Sequence, residues 1–251
     1  MKVKITKLYI TSNENNSIIA SSGVFTIEKR HMDIVSKVLK KNILVVAQEK
    51  PYFPDFSGVD LSGQDFSGQL LIRSNFSGAN LRGAKFIGAH LDGALLKGAN
   101  LEKADLTSAI LTSANLSDAN LKYTNLSYAN LQGAHLERAY LNGTNLRFSN
   151  LSNANLFNAN FYYTYLDFAN LKGATLSLHG ATMLYMESVD LSNRDLSNAN
   201  FSKANLRGAD LRGANLCSTN LTGANLTNAN LHGAITIGTT VKDAKLDGVI
   251  W

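Results

Sequence analysis

From Phe56 onward a large apolar residue returns at nearly every fifth position, and this count keeps its register to Trp251. It passes through Leu61, Phe66, Leu71, Phe76, Leu81 and Phe86, then through leucines alone from Leu91 to Leu156. Phe161, Leu166, Leu171 and Leu176 extend it, and after an irregular patch it resumes at Leu191, Leu196 and Phe201 and runs on to Leu231. Two residues before most of these stands Ala, and one before stands Asn or Asp, as in Ala114-Asn115-Leu116. Neither the 3.6-residue period of a helix nor the two-residue period of a strand generates this pattern. A short repeat held in register over most of a chain specifies a solenoid.

Each unit offers one large and one small apolar residue, separated by three polar positions. The apolar pair must face a shared interior, because nothing else in the unit can remove apolar surface from water. Five residues cannot pack on themselves, so successive units must stack, with backbone groups pairing between layers about 4.8 Å apart. Asn and Gly suit the tight corners that this requires.

The tandem Ala-Asn/Asp-Leu-x-x motif resembles the pentapeptide repeat family. The resemblance covers forty units, from Phe56 to Trp251. It implies an all-β fold: a right-handed, four-sided parallel β-helix of ten coils, roughly 45–50 Å long at this layer spacing. The division it suggests is an α+β capping domain over 1–50 and a β-helix over 51–251, irregular around 177–190.

The two prolines, Pro51 and Pro54, sit just before the array and mark a linker and a start. The head is a strand over Met1–Ile10, a turn at Thr11–Asn16 and a second strand over Ser17–Ile27. An amphipathic helix follows over Glu28–Lys41, with Met32, Val35, Val38 and Leu39 on one face. Ile43–Ala47 is a short strand leading into the first coil. Such a head covers an end that would otherwise expose apolar cross-section and unpaired edges. Its basic helix also allows peripheral contact with an anionic membrane.

Charge separates the two parts. Residues 1–50 carry nine Lys/Arg and four acids, while the array carries fifteen of each and is neutral. A mimic of DNA needs a strongly acidic wall, so a neutral rod speaks against a topoisomerase-binding protein of the quinolone-resistance type, and no nucleic-acid partner is expected. There is no run of apolar residues long enough to cross a membrane as a helix, and residues 1–20 lack the apolar core of a secretory signal. The lone Cys217 offers neither a disulfide nor a metal site.

The layout of the head also resembles the PipB-type effectors that Gram-negative pathogens deliver by type III secretion. The residues that carry this are Val24–Leu39, including Val35 and Leu39, and the entry Phe56-Ser57-Gly58-Val59-Asp60-Leu61. The chain departs from that group in beginning at the hairpin and in ending at Val249-Ile250-Trp251. The resemblance implies delivery into a host cell; otherwise a bacterial cytoplasmic scaffold is expected.

Thr175–Arg194 breaks the chemistry of the repeat while keeping its count. Ala181 and Met186 fall at central positions, and His179, Leu184, Val189 and Arg194 fall in the small slots. An unpaired buried charge at Arg194 would cost several kcal/mol, so a bulge, loop or kink is expected. In the last coil Thr236 and Val241 take central places, and Trp251 is placed to plug the end.

No catalytic constellation emerges. His90 and His232 share a side but lie seven coils apart, roughly 34 Å, and His135 faces another way. No phosphate loop or metal-ligand spacing is present. The expectation is a non-enzymatic rod without cofactor or metal that binds a protein and is monomeric rather than dimeric. The candidate binding residues are aromatic. Tyr128, Phe148 and Phe168 recur at intervals of twenty and so stack on one side. Tyr123 and Tyr163 hold the same slot on the preceding side with Gly143 between them, and Tyr185 lies at the edge. Tyr140, Phe157, Tyr162 and Tyr165 add to the middle of the rod. Exposed Tyr and Phe on a neutral, rigid wall form a hot spot for a partner. The other reading of the same columns is a ladder that stiffens the corner, each pair contributing about 0.5–1.5 kcal/mol.

Overall fold

The computed structural model describes the backbone of two strands in the head and, beyond them, residues 53–176, 178 and 182–251. The chain divides into two compact units, Met1–Tyr52 and Phe53–Trp251. In the first, β1 (Val3–Thr11) and β2 (Ile18–Ile27) pair antiparallel, with Val3 opposite Ile27, Thr11 opposite Ile18 and a shift in register between Ile5 and Lys7. This is the expected hairpin. The expected helix over Glu28–Lys41 and the strand over Ile43–Ala47 lie outside the described residues.

The second unit is a right-handed β-helix in which twenty residues make one turn. Parallel bridges join residues twenty apart, from Asp55–Asn75 to Asn230–Ile250. Four pentapeptides thus form each layer and the rod has four sides. One unit shows the bonding that repeats. The Leu81 N–H donates to the Asn100 carbonyl at 2.7 Å and the Gly83 N–H to Glu102 at 2.9 Å, both one layer ahead. The Asn100 N–H returns to the Ala79 carbonyl at 2.9 Å. The Ala84 N–H closes back on the Leu81 carbonyl at 3.0 Å, and Gly83 between them has φ +66°. A bond from residue i+3 to residue i with positive φ at i+2 is a type II turn. Each unit is therefore one bridge residue followed by one turn, so extended runs are short: β3 (Asn155–Leu156) and β4 (Thr175–Leu176) span two residues each.

This bonding revises the role given to Asn. The Asn or Asp before each central residue is not at the corner; it is the bridge residue. Asn80 Oδ1 accepts the Arg82 N–H at 3.3 Å, and its Nδ2 donates to Asp60 Oδ1 one layer back at 3.0 Å. The side chain thus sets the following turn and links layers. The corner itself is the position two after the central residue, where the left-handed φ recurs.

The interior is filled as expected. Leu116, Leu136 and Leu156 are fully buried, as are Ala114, Ala119 and Ala134. Phenylalanines fill the first layers, with Phe56–Phe76 and Phe66–Phe86 stacked at 4.9 Å. Where Thr replaces Ala its hydroxyl donates to a leucine carbonyl of the preceding layer: Thr124 to Leu101 at 2.7 Å, Thr144 to Leu121 at 2.6 Å and Thr164 to Leu141 at 2.8 Å. The buried hydroxyls are thereby satisfied, as burial demands.

The irregular segment differs from expectation in two ways. Leu178 fills a small slot: it is 4% exposed, and its carbonyl accepts the Asn200 N–H at 3.1 Å, while His179, expected in that slot, lies outside the described residues. That bond spans twenty-two residues where the regular ladder spans twenty-one, as from Asn205 to Leu184. The slip brings an apolar side chain inward. Arg194 is also not an unpaired charge. Its guanidinium donates to the carbonyls of Ala174, at 2.7 Å, and Leu171. Ala174 would otherwise meet the backbone N–H of the next layer, so the side chain substitutes for a missing rung. Burial lowers the Arg194 pKa from its ordinary value, opposed by the charge of Asp190. At the far end Trp251 is 60% exposed and does not plug the interior, and Val241 is exposed as well. No helix among the described residues is long and apolar enough to cross a membrane.

Candidate functional site

The corner position sets the local problem. Left-handed φ is costly for bulky side chains, and the repeat mostly meets it with Gly or Asn, as at Gly133, Asn153 and Gly173. Tyr123, Tyr128, Phe148, Tyr163 and Phe168 occupy the same position with φ between 56° and 60°. Five large aromatics therefore sit where the backbone least favours them, and all five are exposed.

Two adjoining sides of the rod carry them. The first is built on Leu121, Leu141 and Phe161, the second on Leu126, Leu146, Leu166, Met186 and Leu206. On the second side Tyr128, Phe148 and Phe168 stack along the rod axis, with ring centroids 5.0 Å apart at each step and planes within 4° and 2°. A parallel column is formed by Tyr165 and Tyr185, stacked at 4.6 Å.

Between these columns runs a charged one that the sequence reading missed. Arg147 Nε donates to Asp167 Oδ2 at 2.8 Å, and Arg207 pairs with Glu187 at 3.2 Å. Asp167 is only 6% exposed, and its other oxygen accepts the Glu187 N–H at 2.9 Å. The Arg147 guanidinium also lies 4.3 Å from the centroid of the Tyr165 ring. The signal was available: counting by twenty from Arg147 reads Arg, Asp, Glu, Arg. The result is a flat wall with rings on both margins and internally neutralised charge in the middle.

The first side is concave. A cleft of about 530 Å³ is lined by Lys122, Tyr123, Asn142, Gly143, Tyr162, Tyr163 and Tyr165. Its centre is Gly143, where φ is +66° and an added Cβ would lie 2.6 Å from Cδ1 of Tyr123. The Tyr123 ring thus folds over the glycine and forms the floor. Tyr162 and Tyr163 meet edge to face at 4.5 Å and make a corner at the other end. The hydrogen bond between them, with the charge of a Tyr163 phenolate, raises the Tyr162 pKa from its ordinary value. Lys122 Nζ lies 5.4 Å from the centroid of the Tyr140 ring. Asn142 Oδ1 is shielded from solvent and accepts no hydrogen bond.

Of the candidate residues, Tyr128, Phe148, Phe168 and Tyr185 share the second side, and Tyr123 and Tyr163 border the cleft beside it. Tyr140, Tyr162 and Tyr165 join them. Phe157 does not: it stands on the fourth side, after Leu156. His135 bonds to Glu137 at 3.3 Å, and Glu137 bonds to Ser117 and Asn155. This cluster consumes its own donors and acceptors across one wall. No group of three potential metal ligands occurs among the described residues, and Cys217 is half-buried and free.

Sequence comparison matches the family model for pentapeptide repeats in eight copies, over residues 55–93, 74–112, 99–138, 114–147, 139–177 and 185–223. That is more than half of the chain. Among solved structures, the chain is similar to HetL of the cyanobacterium Nostoc sp. strain PCC 7120, a pentapeptide repeat protein involved in regulating heterocyst differentiation. The identity is 35% over 78% of this chain and 86% of that one, with a TM-score of 0.45. The plasmid-mediated fluoroquinolone resistance protein QnrB1 matches at 20% identity over 75% of this chain and 91% of its own, with a TM-score of 0.33. A thylakoid-lumen pentapeptide repeat protein of Arabidopsis thaliana matches at 35% identity over 47% of this chain and 71% of its own, with a TM-score of 0.20. None of the curated proteins matches.

Proposed function

The chain belongs to the pentapeptide repeat family, and from that premise we propose that it is a non-enzymatic binding rod whose aromatic sides dock a protein partner. One observation carries this: bulky rings fill the strained corner positions in consecutive layers, Tyr128, Phe148 and Phe168 on one side and Tyr123 and Tyr163 beside them, where Gly or Asn would serve the fold. Aromatic anchors on a rigid scaffold lose little conformational entropy on binding, and a contiguous exposed patch of this kind marks an interaction site. The proposal also places ten coils in the rod, gives residues 1–50 the role of a cap and treats the protein as a monomer.

The test is a triple variant, Tyr128→Asn with Phe148→Asn and Phe168→Asn. Asn takes the corner conformation at Asn153 and Asn198, so the turn is retained. The variant is expected to melt near the parent and to lose its partner in a pull-down from the cell of origin. Undiminished capture would refute the proposal.

Delivery as a type III effector is the narrower form of the proposal. It rests on the layout of the head alone, and translocation of a reporter fused to the chain tests it. Against topoisomerase binding stands the pairing of wall carboxylates with bases, as in Asp118–Arg138, Asp167–Arg147 and Asp210–Arg212. DNA gyrase supercoiling is accordingly expected to proceed unchanged at micromolar protein.

A further inference from the structure

We infer that the tyrosine cleft on the first side binds a proline-rich segment in the polyproline II conformation, lying along the rod axis with an acidic residue beside its prolines. This deepens the proposed function and rests on it.

Three observations lead to this occupant. The first is periodicity. Tyr123 and Tyr163 occupy equivalent corners two layers apart, a Cα spacing of about 9.6 Å at the usual interlayer distance. One turn of polyproline II covers three residues and about 9.3 Å. A segment laid along the axis therefore presents the same face at both corners. Gly143 between them leaves room for the Tyr123 ring, which folds over it as the floor of the cleft.

The second is the chemistry of the lining. Four tyrosines supply flat rings that end in hydroxyls, with the Asn142 amide and Lys122 among them. No aliphatic side chain lines the cleft. A proline-rich chain has exposed carbonyls and few N–H groups, so a groove for it needs ring faces and donors rather than acceptors. Aromatic-lined grooves are the recurring solution for this ligand.

The third is charge. Arg147, next to the cleft, is held by Asp167. Lys122 has no carboxylate within ion-pair distance among the described residues. One uncompensated positive charge at the mouth favours an acidic residue in the ligand.

The experiment uses the full chain and a fluorescein-labelled peptide, Glu-Pro-Pro-Ala-Pro-Pro-Ala-Pro-Pro, followed by anisotropy. Saturable binding is expected. Tyr123→Asn and Tyr163→Asn should each weaken it by about tenfold or more, while Phe157→Ser on the fourth side leaves it unchanged. Gly143→Ala, which drives a Cβ into the Tyr123 ring, should weaken it without removing any tyrosine. Replacing the peptide Glu by Gln should lower affinity in the parent but not in Lys122→Gln. Absence of saturation up to about 1 mM, or equal binding by parent and cleft variants, overturns the inference. The two claims fail separately. Partner capture that depends on Phe148 and Phe168, with no peptide binding, removes the cleft proposal alone. Peptide binding with capture indifferent to those residues removes the wall from the proposed function and leaves the cleft.

Discussion

The second and third sides of the rod share one backbone and differ in what stands at their corners. On the third side, built on Leu131, Leu151 and Leu171, the corners are Gly133, Asn153 and Gly173, the residues that left-handed φ favours. On the second side, in register with them, the corners are Tyr128, Phe148 and Phe168. Beneath both lie fully or almost fully buried leucines, among them Leu131 and Leu151 on one side and Leu126 and Leu146 on the other. The fold therefore does not require the rings. Stacking at 5.0 Å offsets part of their conformational cost, but Gly or Asn would avoid that cost altogether. What separates the sides is the use of the wall, not its construction.

The largest effect should be blind to this difference. Leu146→Ala and Leu151→Ala, one beneath each side, should each destabilise the rod by about 2–5 kcal/mol in denaturant melts. Markedly unequal losses would mean that the interior, and not only the wall, distinguishes the sides. Next in size is Arg194→Ala on the third side, which strands the carbonyl of Ala174 and takes a second donor from that of Leu171, which keeps the Ala174 N–H at 2.9 Å. A loss of about 1–3 kcal/mol is expected; an unchanged midpoint would show that the guanidinium replaces nothing. Smaller still are the corner exchanges. The triple Asn variant of the second side should shift stability by about 1 kcal/mol in either direction, as lost stacking is set against relief at the corner. Asn153→Phe on the third side should destabilise by a similar amount, because that ring would stand alone. A large loss from the triple variant would identify the ladder as structural.

The smallest effect is one of pH. The Ser62 N–H bonds to the Asp60 carboxylate at 3.1 Å, and this backbone bond, with a further one from the Ser62 side chain, lowers the Asp60 pKa. A carboxylate lowered in the folded state contributes stability above its unfolded value of about 3.9, and that contribution disappears as pH falls through the folded value. Asp60→Asn keeps the turn and should flatten the acid limb of a stability profile slightly below about pH 4. An unaltered limb would show that the bridge carboxylate does not titrate with folding.

Much of this was legible in the sequence because the repeat ties position to environment. Counting by five identified the buried column, and counting by twenty placed Tyr128, Phe148 and Phe168 on one side. The head hairpin followed from alternation over Met1–Ile10 and from the polar turn at Thr11–Asn16. The slip at Leu178 was hidden because the five-count survives through Met186 and Leu191 and assigns the small slot to the residue after it. A buried charge at Arg194 suggests a missing partner, whereas its partners are backbone carbonyls, of which that of Ala174 is left open by the break itself. The ion pairs of Arg147 and Glu187 are invisible in the net charge of the wall, because opposite signs cancel there, and emerge only along one column. The cleft depends on how the Tyr123 ring folds over Gly143, a rotamer that no periodicity encodes.

The claim that the second side binds and the third does not can be tested by placing a photoreactive benzoylphenylalanine at Phe148 or at Asn153, corners of neighbouring sides in the same layer. Irradiation in the cell of origin should give a discrete protein adduct from position 148 and none from position 153. Equal adducts from both positions, or an adduct from 153 alone, would contradict the assignment of function to the aromatic side.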